Sequence, residues 1–256
     1  MPSWLALSFQ DSSSPFMMEL STFHDHVVVV MSGVIVLISY IMVFLLFNSK
    51  YYKNLSEGTF IETVWSIVPA FLLIVLVLPS MKVLYFMEDI KSPNLSFKVV
   101  AHHWYWSYVV PLLKNFSFKV DNSLVSFYEY DSLLEEVNTL DDMTRPRLLG
   151  CSSDLVVPMN SVSRLLVSST DVIHSFTVPS LGVKVDALPG RINQLFLNPS
   201  RLGNFYGQCS EICGSNHSFM PISVKVVPLS VYDNFCKSYL LDVLSDNFNL
   251  SLKISI

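Results

Sequence analysis

Residues 27–47 read VVVVMSGVIVLISYIMVFLLF, a run without one charged side chain. A helix needs about 20 apolar residues to cross a hydrocarbon core, and in lipid every backbone amide must be satisfied within the segment. The run therefore predicts a membrane-crossing helix. The competing reading, a helix buried in a large soluble core, fits poorly, because globular helices seldom run this long without a polar face. A second run spans about residues 63–86, interrupted by Pro69 and Pro79 and carrying Lys82 near its far end. Membrane helices accommodate proline when neighbours re-satisfy the freed carbonyls. Lys82 can extend toward the interface, where Trp65 and Tyr85 suit anchor positions. The linker 48–62 carries Lys50 and Lys53, whereas no Lys or Arg precedes the first run. That bias puts the linker inside and everything after residue 90 on the opposite side.

Composition agrees with partial immersion in lipid: 51% of residues are hydrophobic and 14% charged, against roughly 25% charged in ordinary globular chains. The net charge of −5, with no basic stripe, excludes a nucleic-acid binder and suits a basic protein partner. Residues 1–26 contain three acids and no Lys or Arg, unlike a transit peptide or a secretory signal. The chain is expected to be made where it is used or to lose a leader outside this sequence.

Beyond residue 91 the pattern changes to short alternating runs at 97–100, 116–120, 163–167, 194–197 and 222–227, which read as strands. Pro158, Pro179, Pro189, Pro199, Pro221 and Pro228 punctuate them, as in an all-β sandwich or barrel. The tail 231–256 begins as a helix without an assigned role. Segment 120–144 is acidic, with Asp121, Glu129, Asp131, Glu135, Glu136, Asp141 and Asp142 and no Lys or Arg.

One loop concentrates soft donors. Residues 206–221, YGQCSEICGSNHSFMP, place Cys209, Cys213, His217 and Met220 within one short stretch. Thiolate and thioether sulfur favour copper, and a His₂Cys set with a weak Met ligand is the copper electron-transfer pattern. A mononuclear site uses one Cys; two thiolates suffice to bridge two coppers. A second imidazole is then needed, and His174, in DVIHSF, is the candidate. The alternatives are a Cys209–Cys213 disulfide in an oxidising compartment and a zinc half-site, which has little use for Met220. The remaining cysteines, Cys151 and Cys236, read as small buried apolar residues.

The Cys-x₃-Cys-x₃-His-x₂-Met loop resembles the copper A loop of the cytochrome c oxidase subunit 2 family. The segments HSFTVPSLG at 174–182, DALPGR at 186–191 and HWYWSY at 103–108 resemble that family as well. The resemblance covers about residues 9–228, with a divergent region near 109–147. It implies a two-helix transmembrane hairpin followed by a cupredoxin-like Greek-key β-barrel, divided as 1–90 (segment and anchor), 91–230 (copper domain) and 231–256 (tail). It further implies a dinuclear copper centre bridged by Cys209 and Cys213, completed by His174 and Met220 on one metal and by His217 and the Glu211 carbonyl on the other. The Glu211 side chain is implied to give one ligand to a Mg²⁺ shared with the large haem-copper catalytic subunit, where oxygen ligation is usual.

By the same resemblance Trp104 is where cytochrome c delivers its electron. Glu62, in ETVW at 62–65, reads either as the mouth of a proton path or as an acid capping a helix start. The expected activity is electron transfer from cytochrome c to the subunit that reduces oxygen to water, coupled to proton pumping. The expected setting is membrane lipid: the mitochondrial inner membrane, or alternatively a bacterial plasma membrane. Quinol-oxidase relatives lack such ligands, and a nitrous oxide reductase lacks the two anchor helices. This chain departs from the family at Val109, Val110 and Pro111, and again at Ser152, Ser153 and Asp154, where docking acids are common. The acidic segment either replaces that charge or is a solvated loop, with Asp171 as another docking acid.

Overall fold

The computed structural model describes residues 6–50, 52–54, 56–88, 92–111, 118–120, 123–125, 127–135 and 146–238. The chain forms two compact units, one of Met1–Met17 with Ile90–Ile256 and the other of Met18–Asp89.

Both apolar runs are helical, as α1, Pro15–Phe47, and α2, Thr59–Glu88, which continues through Pro69 and Pro79. Their side chains are exposed almost throughout. A helix that is apolar around its circumference and unburied is one made for lipid. Lys82 adds a detail absent from the sequence reading, since its Nζ donates to Glu19 Oε2 at 2.9 Å.

α1 starts well before residue 27, and the cause is local. Pro15 suits a first helical position, where its missing N–H costs nothing. Ser14 Oγ accepts from Met17 N at 3.1 Å, an N-cap bond, and donates to Leu181 O at 2.7 Å. Ser13 N donates to Ser180 O and Ser200 N to Ser13 O, each at 2.8 Å, and Arg201 Nη2 lies 2.7 Å from Ser13 Oγ. The segment before the helix is thus stitched to the β-rich unit. A boundary at residue 90 alone does not describe this arrangement.

The β-rich unit holds β1 Leu95–His102, β2 Tyr105–Pro111, β3 Phe118–Val120, β4 Ser123–Val125, β5 Phe127–Ser132, β6 Leu155–Pro158, β7 Ser163–Ser169, β8 His174–Val178, β9 Val183–Ala187, β10 Asn193–Leu197, β11 Gly203–Gln208 and β12 Pro221–Val227. One sheet runs β10-β7-β1-β2-β5 and a second β11-β12-β6, with β8-β9 and β3-β4 as two-stranded pairs. β1 pairs with β7 and β6 with β12 in parallel, and the remaining pairs are antiparallel. This is the cupredoxin-like architecture, built as a sandwich. Period-2 alternation fills it: Leu165 and Val167 of β7 point inward, as do Ile222, Val224 and Val226 of β12, against Phe97, Trp106, Leu155 and Phe176.

One segment differs from its sequence reading, and the tail, helical at its start as expected, gains a role. Part of the acidic segment is the edge strand β5, whose Tyr128 and Ser132 face inward while Glu129 and Asp131 are exposed. It pairs with β2 from Trp106↔Ser132 to Pro111↔Phe127, so here the acids decorate a strand and not a loop. Glu135 is exposed, and Asp121, Glu136, Asp141 and Asp142 lie outside the described residues. The tail begins as a helix at residues 229–238 and docks on the core, with Tyr232 and Cys236 fully buried and Phe235 against Tyr128 at 6.1 Å between ring centroids. Tyr232→Ala is expected to destabilise the chain by about 3–5 kcal/mol, and Tyr232→Phe by about 1 kcal/mol or less. Denaturant unfolding of the two variants checks both.

Candidate metal centre

β11 and β12 pair antiparallel from Gly203↔Val226 to Gln208↔Pro221, so residues 209–220 form the loop that joins them. The loop is brought to β8 by a close approach. A Cβ on Gly207 would collide with the Thr177 carbonyl, so only glycine lets β11 lie this near β8. Ser210 N then donates to Ser175 O at 3.2 Å. His174, the first residue of β8, is thereby set against the loop and is fully buried.

The donor atoms of His174, Cys209 and Cys213 lie within 4.8 Å of one another, and neither cysteine is in a disulfide. Each sulfur is faced by an imidazole: Cys209 Sγ lies 3.9 Å from His174 Nδ1 and Cys213 Sγ 3.4 Å from His217 Nδ1. Met220 Sδ is 3.6 Å from Cys213 Sγ, and the Glu211 carbonyl accepts from Cys209 Sγ at 3.4 Å. The sequence-predicted ligands are therefore together, and the set of two sulfurs, two imidazoles, a thioether and a carbonyl fits a soft cation. The Glu211 carboxylate, by contrast, belongs to an exposed residue.

The walls of the site are aromatic. The Trp106 ring meets His174 edge-on at 6.2 Å and Phe176 at 5.5 Å, and its Nε1 donates to Met220 O at 3.4 Å. Trp104 is partly buried and packs on Gly214, where a Cβ would come within 3.3 Å of Trp104 Cζ2. Asp171 backs the site from outside, its Oδ1 accepting from His174 Nε2 at 2.8 Å. Sequence reasoning assigned no supporting role to Asp171, although an acid three residues before a ligand histidine is a usable signal. Glu62 lies in the first turn of α2 and is exposed. Cys151 and Cys236 are buried apolar residues outside the cluster.

The two thiols are not equivalent without a metal. Burial opposes ionisation of Cys209, yet hydrogen bonding to His174 and to the backbone at Ser175 brings its thiol down to about 7. Burial, followed by the negative charge on Cys209, pushes Cys213 up to about 12. Burial alone would lower His174, but hydrogen bonds to Cys209 and Asp171 raise it. A pair of adjacent thiolates is disfavoured until a cation lies between them, because a coordinating thiol is deprotonated outright. Soft-cation affinity should thus rise with pH through the ionisation of Cys209 near 7. At neutral pH, binding should release the Cys213 proton, read as about one proton or more by calorimetry in buffers of different protonation enthalpy. Proton release that does not respond to Cys213→Ser would contradict this account.

Comparisons with known proteins identify the family. The family described as "Cytochrome C oxidase subunit II, periplasmic domain" matches residues 95–227, and the one described as "Cytochrome C oxidase subunit II, transmembrane domain" matches residues 2–83. Cytochrome c oxidase subunit 2 of Branchiostoma floridae is 44% identical over 232 residues, covering 90% of this chain and 94% of its own. That of Aedes aegypti is 43% identical over 238 residues, covering 93% and 99%. The crystal structure of the periplasmic domain of subunit II of the Bradyrhizobium japonicum cytochrome oxidase is 39% identical. It covers 58% of this chain and 95% of that chain, with a TM-score of 0.49. With both of its parts matched, and relatives this similar along nearly all of its length, the chain belongs to the cytochrome c oxidase subunit 2 family and is a subunit of that oxidoreductase complex.

Proposed function

We propose that the loop, through its buried sulfurs, holds a dinuclear copper centre through which this subunit takes electrons from cytochrome c and passes them to the large haem-copper subunit, which reduces oxygen to water and pumps protons. The observation that carries the reading is the doubling of the site: each buried sulfur has its own imidazole Nδ1, at 3.9 Å for Cys209 and 3.4 Å for Cys213. A mononuclear blue-copper site uses one Cys, and a Cys₂His₂ zinc site would give no role to the Met220 thioether, 3.6 Å from Cys213 Sγ, or to the Glu211 carbonyl, 3.4 Å from Cys209 Sγ. When bound, such a centre would take up and release one electron at a time with its charge spread over two metals.

The chain's own contribution is rigidity. His174 and Phe176 stand on one strand, Trp106 on another, and the loop is hydrogen-bonded to β8, so the ligands are held before any metal arrives. Trp104 is assigned to electron uptake, because its indole packs directly on the loop at Gly214. The exposed Glu211 side chain, with its carbonyl turned to Cys209, is left to serve a hard ion, Mg²⁺ shared with the large subunit. Glu62, in the first turn of α2, is assigned to a proton path at the large subunit, with a helix-end role as the other reading. Lys50 and Lys53 put the linker inside and the β-rich unit on the outer side. That side is the intermembrane space of mitochondria, or the periplasm for a bacterial source.

Copper-loaded protein should carry two coppers per chain by mass spectrometry, with one unpaired electron shared by both nuclei in its paramagnetic resonance. A mononuclear copper signal, or zinc in place of copper, overturns the proposal. In the assembled oxidase, Trp104→Phe should slow reduction of the site by about an order of magnitude or more, reading one lost contact as about 1.4 kcal/mol of barrier. It should leave cytochrome c affinity nearly unchanged. Stopped-flow reduction at the wild-type rate would place the uptake point elsewhere.

A further inference from the structure

The bend between β7 and β8 carries an acid whose hydrogen bonds all converge on the site. Asp171 is partly buried, its side chain 22% exposed, and its two oxygens divide their partners. Oδ1 accepts from His174 Nε2 at 2.8 Å and from Val172 N at 2.6 Å, with Ser169 Oγ at 3.1 Å. Oδ2 accepts from His103 N at 2.7 Å and lies 2.8 Å from His103 Nδ1. The first oxygen therefore serves the metal-binding strand and the second serves the β1–β2 turn, 68 residues away in sequence.

Each half has a chemical consequence. A carboxylate can only accept, so Nε2 of His174 carries the proton and Nδ1, which faces Cys209, keeps its lone pair for a metal. On the other side, the carboxylate grips both the main chain and the ring of His103. That fixes the residue next to Trp104, whose indole lies against Gly214 of the metal loop. The His103 ring also meets His174 edge-on at 5.9 Å and Trp104 at 5.1 Å. The two histidines and the indole thus form one packed unit with Asp171 beneath it.

We propose that Asp171 is a positioning residue that clamps the metal ligand His174 and the electron-uptake turn His103–Trp104 into one unit, giving one carboxylate oxygen to each. The proposal rests on the copper reading above for its consequence in the oxidase, but not for its geometry. Its role differs from that of a surface acid that only attracts a basic partner.

The test uses full-length chain in nanodiscs and the assembled oxidase. In metal-free chain, nitrogen-15 imidazole spectra should show His174 in its Nε2–H form. Asp171→Asn should disturb both that signal and the Trp104 indole signal, whereas His103→Phe should move Trp104 and leave His174 in place. In the oxidase, Asp171→Asn should shift the histidine hyperfine coupling and the reduction potential of the copper centre and weaken copper retention roughly 10-fold. His103→Phe should change only the rate of reduction by cytochrome c. If Asp171→Asn keeps the wild-type tautomer, coupling and copper retention, and alters only the salt dependence of cytochrome c association, the clamp is wrong and Asp171 is a docking acid. Should Asp171→Asn fail to fold, His103→Phe decides: an unmoved Trp104 signal overturns the clamp. Absence of copper from the wild-type oxidase would instead overturn the proposed function, while the metal-free spectra still judge the clamp.

Discussion

Two buried sulfurs that both need to be thiolates, within 4.8 Å of each other and of an imidazole, constrain everything around them. Without a cation the two are held unequal: hydrogen bonds from His174 and the backbone bring Cys209 down to about 7, while burial and then the charge on Cys209 push Cys213 up to about 12. A cation removes the conflict, but only if the sulfurs cannot swing apart. The surrounding fold supplies that restraint through a loop closed by an antiparallel strand pair, a glycine that lets β11 touch β8, and an indole that bonds the Met220 carbonyl. Rigid walls of this kind suit a centre that changes charge with little movement of its ligands.

The restraint reaches the centre through contacts between segments distant in sequence. β1 and β7 pair in parallel, which brings the aromatic turn after β1 beside the bend that precedes His174. Trp104 and Trp106, two apart in sequence, consequently take different stations. Trp106 is fully buried behind His174, and Trp104 is only partly buried, over the loop. That division fits one residue for support and one for contact with the outside.

The sandwich is also held by the segments that flank it in sequence. The segment before α1 bonds to residues 180–181 and 200–201, and the helix at 229–238 buries Tyr232 and Cys236 in the core. Neither attachment shows in the local sequence. Ser14 caps α1 through Met17 N and also bonds Leu181, 167 residues away.

How much was legible follows from how local each feature is. The two spans, the strand runs beyond residue 91 and the loop ligands Cys209, Cys213, His217 and Met220 were all readable, because each is a pattern within one short window. His174 was within reach because a doubled thiolate site demands a second imidazole. The strand β5 was hidden by its own acids, since Glu129 and Asp131 on an exposed edge face look like a solvated loop until Tyr128 and Ser132 are seen to face inward.

By itself, then, the sequence determined the membrane hairpin, the β-rich class of the remainder and the donor set. Backbone satisfaction in lipid, side-chain alternation and sulfur chemistry all act over a few residues. Only the tertiary structure decided that the acid behind His174 also holds the β1–β2 turn, which tryptophan lies on the loop and where the chain's N-terminal segment belongs. Those outcomes depend on hydrogen bonds between residues 68 and 188 positions apart, and no short window of sequence contains both partners.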